Sequence, residues 1–218
     1  MTATMTFTVG TAVQNSSSPT VVTITPPSNS LLGVLCLCDE TGSDVWTVTS
    51  SGLTITKYPF EPSKALCTSP IVSGGTLRTL NCAVSSGAQK KDVTPFYVTQ
   101  SDGLIPTIGA TSNDNAGNHG GAAQTSITLT GTALGSRAIQ MAEMSGTTPA
   151  AVTGATRLRG AAYDSNSVAH DLLTATGTVG GTFTFTTASP GWYSALTAEF
   201  VLGVLASAKF GGGFSDVM

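Results

Sequence analysis

Residues 181–203 read GTFTFTTASPGWYSALTAEFVLG. From Thr182 to Thr186 an aromatic ring alternates with a threonine. A strand puts successive side chains on opposite faces, so Phe183 and Phe185 share one face and the three threonines the other. After the turn cluster Ser189-Pro190-Gly191, Trp192, Ser194, Leu196, Ala198 and Phe200 repeat the two-residue period. Two half-buried strands are expected here, the second ending near Leu202.

The same rhythm extends outward. Met5, Phe7 and Val9 alternate with threonines in MTFTV. TVVTIT (20–25) is stopped by Pro26-Pro27. SLLGVLCLC (30–38) is nearly all apolar and is expected to be a strand in the centre of the core. VWTVTSSGLTITKYPF (45–60) reads as two strands folded into a hairpin about Ser51-Gly52. In TLRTLNCAVS the core-facing set is Arg78, Leu80, Cys82 and Val84. SVAHDLLTAT (167–176) is the one stretch that also fits a helix, and no internal repeat recurs at a fixed period. These features predict an all-β chain, a β-sandwich of jelly-roll or immunoglobulin-like topology, as a single domain over residues 1–202. Residues 88–124, rich in Gly, Asn, Asp and Pro, break the rhythm and read as a long surface excursion in which only PFYVTQ (95–100) looks like strand.

Composition agrees. The chain of 218 residues has 36 threonines and 25 glycines, and only 10% of its residues are charged. Threonine is β-branched and suits a pleated, half-exposed surface. A surface with so little charge is suited to being covered by partners. The formal net charge is −3 and no basic stripe is present, which argues against nucleic-acid binding. The start, MTATMTFTVGTAV, has no basic segment followed by a long apolar one, so no export signal is expected. Apolar runs are far shorter than the roughly 20 residues of a membrane helix, so no membrane partner is expected. Cys36, Cys38, Cys67 and Cys82 are then expected to be free thiols, with Cys36 and Cys38 on one face of a core strand.

Candidate chemistry is sparse. Asn113, Asp114, Asn115 and His119 fall in NDNAGNHGG, but their spacing does not match a calcium loop. They are read as a partner-contacting loop, with no metal or cofactor expected. His170-Asp171 suggests a triad, yet no G-x-S-x-G nucleophile motif exists. Glu143 and Glu199, within apolar strands, are expected to face solvent or to pair with Arg137, Arg157 or Arg159. GTVGG (177–181) reads as a hairpin turn, and Trp192 as a core residue or a sugar-stacking ring. Residues 203–218 read as a Gly-rich arm: Gly211, Gly212 and Gly213 form a hinge, and Phe210, Phe214 and Met218 are anchors for a neighbouring molecule.

The order of segments carries a resemblance. TVVTITPPSNSLLGVLCLCDE is followed by WTVTSSGLTITKY, GGTLRTLNCAVSSG and TSITLTGTALGSRAIQMAEMSGTT. With Trp46-Thr47 and Glu143-Met144-Ser145-Gly146 in place, residues 6–202 resemble the β-sandwich structural modules of tailed bacteriophages. That resemblance implies a non-enzymatic virion protein, assembled in the host cytoplasm. The expected role is capsid decoration, with the major capsid protein as partner and the chain as a dimer or trimer. A tail or head-fibre protein that binds host glycans is the alternative. A hydrolase relying on Glu143 or His170 ranks last.

Overall fold

A computed structural model describes residues 3–38, 45–58, 64–85, 90–114, 126–146, 148–163, 166–187 and 192–204. These residues form sixteen β-strands and no helix. The first nine are β1 (Met5–Val9), β2 (Val13–Asn15), β3 (Thr20–Ile24), β4 (Ser30–Cys38), β5 (Trp46–Thr49), β6 (Thr56–Tyr58), β7 (Lys64–Ile71), β8 (Arg78–Val84) and β9 (Lys91–Gln100). The other seven are β10 (Thr107–Asp114), β11 (Ser126–Thr130), β12 (Arg137–Ser145), β13 (Ala155–Tyr163), β14 (Asn166–Leu173), β15 (Thr182–Thr186) and β16 (Trp192–Val201). All pairings are antiparallel.

The strands make four layers. The first half builds an outer sheet, β3-β8-β5, and an inner sheet, β1-β9-β4-β7-β6, with β2 continuing along β9 beside β1. The second half builds an inner sheet, β10-β16-β12-β14-β13, and an outer sheet, β11-β15. One core joins Val22, Trp46, Leu80, Cys82 and Val84 of the first outer sheet to Leu32, Val34, Cys36 and Cys67 of the inner one. A second joins Ile127, Leu129, Phe183 and Phe185 to Ala138, Ala142, Met144 and Ala169. The third lies between the two inner sheets, where Leu35, Leu66, Phe96 and Val98 meet Ile139, Met141, Leu196 and Phe200. The all-β sandwich architecture expected from the sequence is present, as two sandwiches stacked back to back. β4 is covered on both faces, so all nine of its residues are buried. This is why its sequence is apolar without alternation.

The two inner sheets have the same strand order, position for position: β1, β9, β4, β7, β6 against β10, β16, β12, β14, β13. The chain therefore repeats one sandwich, though at no fixed period in the sequence. Local details recur too. Ser30 Oγ donates to Pro27 O at 2.7 Å, and Ser136 Oγ donates to Ala133 O at 2.8 Å, each at the start of a middle strand. Gly75 and Gly180, both at positive φ, donate N–H groups to Pro26 O and Gly131 O across matching turns. Matched residues (Ser30 and Ser136, Ala65 and Ala169, Val98 and Phe200) draw steadily closer in sequence, because connections are shorter in the second half. That drift removes any fixed period.

Other sequence expectations are revised. Residues 91–100, assigned to the surface excursion, are β9, which lies between β4 and β1 with most of its residues buried. Residues 107–114 form an edge strand. The strand-like PFYVTQ (95–100) is the second part of β9; its first part and residues 107–114 were obscured by the Gly, Asp and Pro residues around them. SVAHDLLTAT holds most of β14, a strand buried on both faces. β5 and β6 are not a hairpin: β5 pairs with β8 and β6 with β7, in different sheets.

Contact between the inner sheets depends on ring packing. Phe200 meets Phe7 edge-on, with centroids 5.0 Å apart and planes at 82°, and Phe96 at 5.8 Å and 76°. Phe96 lies over Gly33, where an added Cβ would sit 2.2 Å from the ring. Truncating Phe200 leaves a cavity between the halves and is expected to cost about 3–5 kcal/mol. Urea unfolding of Phe200→Ala should show that loss, and Phe200→Leu much less; equal stability of Phe200→Ala and the wild type would refute the ring-packing account.

Candidate functional site

Two regions concentrate polar chemistry. The first lies beside the rings between the inner sheets. Asp92 of β9 is fully buried, and Arg159 of β13 reaches across to it. Arg159 Nη2 is 2.5 Å from Asp92 Oδ2, and Arg159 Nε is 3.3 and 3.2 Å from the two carboxylate oxygens. Thr94 Oγ1 also donates to Asp92 Oδ1 at 3.0 Å. His170 of β14, opposite Arg159 in register, points into this same interface with neither ring nitrogen hydrogen-bonded. Desolvation pushes its pKa down to about 4, with Asp92 opposing and Arg159 and Arg157 adding to the shift.

Asp171 occupies the other face of β14, because adjacent strand residues point apart. Arg157 Nε holds Asp171 Oδ1 at 2.6 Å, and the Arg157 guanidinium also donates to Ala150 O. Burial raises the Asp171 pKa, against the lowering effect of Arg157. His170 and Asp171 thus lie on opposite faces of one strand and form no dyad. In the first half, Lys57 of β6 matches Arg157 and donates to Trp46 O at 3.2 Å. The cation at this place serves the fold in both sandwiches.

Glu199 and Glu143 are buried, which rules out the solvent-facing alternative of the two expected for them. Glu199 is a structural acceptor. It takes hydrogen bonds from Thr132 N at 2.8 Å, Thr132 Oγ1 at 2.7 Å, Ala133 N at 3.2 Å and Ala110 N at 3.1 Å. Burial raises its pKa, but hydrogen bonds from Ser136, Thr132 and Ala110 outweigh that and leave it below the usual value. An apolar strand context in the sequence gave no sign of these four donors, which come from β10 and the turn after β11, remote in the chain. Cys36, Cys38, Cys67 and Cys82 are free and buried in the first core, as expected, and burial pushes the Cys67 thiol up to about 12.

The second region is a groove of about 240 Å³ on the C-terminal outer sheet. Its walls are Thr153-Gly154, the Leu173–Thr178 segment and the β15 residues Thr182–Thr184. No charged side chain lines it. Its volume is below the roughly 300–1,000 Å³ of usual small-molecule sites.

Of the loop residues singled out by sequence, Asn113 and Asp114 belong to β10, paired with Leu196 and Ala195. Asn115 and His119 lie outside the described residues, as do Phe210, Gly211, Gly212, Gly213, Phe214 and Met218. Among the described residues no group of three or more His, Cys, Asp or Glu side chains could hold a metal ion. Comparison with family models, curated proteins and solved structures gives no match.

The buried His170 makes stability pH-dependent. Its folded pKa, about 4, lies below the 6.5 of an exposed imidazole. Between these values the unfolded chain binds the extra proton, so stability is complete above about pH 6.5 and falls as pH drops toward 4. The full effect is about 3 kcal/mol. Melting temperature measured from pH 7 to pH 5 should fall for the wild type and stay flatter for His170→Gln; parallel curves would refute this.

Proposed function

We propose that this chain is a structural protein of a phage particle, a capsid decoration protein that bridges shell subunits. The observation that carries the reading is a set of exposed apolar side chains where the last strand ends. Leu134, Val179 and Val204 are 71%, 76% and 84% exposed. Gly135, next to Leu134, lies against Leu202 and donates its N–H to Gly177 O, which brings these segments to one end of the molecule. Apolar side chains gathered at one place suit burial against another protein.

The low charge of the chain and the resemblance of its segments to phage sandwich modules support the same reading. So does the role of the buried polar groups: Asp92, Arg159, Asp171, Arg157 and Glu199 are engaged in holding strands together. In this proposal the two fused sandwiches act as a stiff block. Residues 203–218 and the 101–124 segment contact neighbours, and apolar burial at about 25 cal/mol per Å² stabilises the shell. Oligomerisation as a dimer or trimer multiplies weak contacts.

The test is binding of the purified chain to emptied heads from its source. The full chain is expected to bind stoichiometrically and to raise the heads' resistance to heat. Removing residues 209–218 is expected to weaken attachment at least tenfold while leaving the melting temperature within a few degrees. Full binding by the truncated chain would eliminate the arm, and no binding by the full chain would eliminate decoration.

A further inference from the structure

The groove on the C-terminal outer sheet occupies the place of a missing strand. In the first sandwich, β8 is flanked by β3 on one side and β5 on the other. In the second, β15 has β11 on one side, and on the other a single bridge from Val152 to Thr187. Val152 packs into the second core as Trp46 packs into the first. There the likeness stops. After Trp46 the chain continues along β8 to Thr49 and reaches β6 only at Thr56. After Val152 it turns at Gly154, whose φ is +66°, and enters β13 at Ala155. The residues that would continue along β15 are absent from the second repeat, and the groove begins at Thr153-Gly154, where they would lie.

Among the described residues only the Val152 bridge meets this side of β15, and the edge can accept a strand. Thr186 O takes the N–H of Thr153, on the side away from β11. Hydrogen-bonding direction alternates along a strand, so Thr184 and Thr182 turn their N–H and C=O groups to that same side. Phe183 and Leu173 line the groove beneath. An added strand would gain ladder hydrogen bonds and an apolar floor for alternate side chains.

We propose that residues Val204–Phe210 of a second copy fill this groove as the missing strand. The inference deepens the reading of residues 203–218 as an assembly arm and rests on it. Val204, Ala206, Ala208 and Phe210 alternate with Leu205, Ser207 and Lys209, giving one wholly apolar face of the kind a sheet addition needs. The small alanines suit a groove of about 240 Å³. Direction selects a second copy over the chain's own arm. β5 runs antiparallel to β8, so its counterpart would enter beside Val152 and leave beside Thr182. The chain's own exit, at Leu202, lies against Gly135, which is bonded to Gly177 at the leaving end.

The test uses full-length chains. An equimolar mixture of Thr184→Cys and Ser207→Cys proteins, mildly oxidised, is expected to give a disulfide-linked dimer between positions 184 and 207, since opposed residues share a face. Leu205→Cys covers the neighbouring register. Thr184→Pro removes the N–H on the open side and spares pairing with β11. It should shift association at least tenfold to higher concentration in sedimentation, with little change in melting temperature. A disulfide that closes within one chain of a Thr184→Cys/Ser207→Cys double variant, leaving it monomeric, would overturn the second copy. No cross-link in any combination, while loss of residues 209–218 still weakens head binding, would overturn the groove and leave the assembly arm standing. Failure of both would remove the two together.

Discussion

The contact between the two inner sheets is the constraint on which the rest depends. Each sandwich by itself would leave the back of its larger sheet exposed. Stacking the sheets buries both backs at once, and the central strands β4, β7, β9, β12, β14 and β16 become the interior of one molecule. Phe96, lying over Gly33, and Phe200 fix how closely the sheets approach. Asp92 and Arg159 then add direction, because a buried carboxylate is costly without a guanidinium placed to meet it. Apolar packing supplies the driving force, and the ion pair penalises misaligned stacking.

Duplication explains why the two faces of the stack differ. The inner sheets, which meet each other, preserve the full strand order in both halves. The outer sheets face away and differ among the described residues: three strands in the first half, two in the second. Loss of a strand from an inner sheet would open the central core, whereas loss from an outer sheet exposes one edge and one groove. The place where the repeat is least complete is the edge of β15 at which strand addition is proposed.

Buried polar groups illustrate the same division. In a chain with few charges, ionisable side chains at the inner sheets, among them Asp92, Glu143, Arg157, Arg159, Asp171 and Glu199, are wholly or largely withdrawn from water. Four of them are paired, Arg157 with Asp171 between neighbouring strands and Arg159 with Asp92 between the two sheets, and Glu199 gathers donors from β10 and the turn after β11. Their arrangement accounts for strand registration and for the packing of loops on the sheets. It also separates His170 from Asp171, whose adjacency in sequence suggested catalysis.

Period-two alternation, threonine content and turn residues were enough to determine an all-β chain, the strand at Thr182–Thr186 and the core faces of β8 and β16, because alternation is a local property of an extended backbone. The burial of Cys36 and Cys38 was legible for the same reason. The number of sandwiches was not. A strand covered on both faces loses its alternation, so β14 could pass for a helix and β9 for part of a loop. The repeat was hidden because unequal connections erase a fixed spacing while leaving strand order intact. The burial of Glu199, the pairing of Asp92 with Arg159 and the empty place beside β15 depend on segments far apart in the chain, and only tertiary packing brought those together.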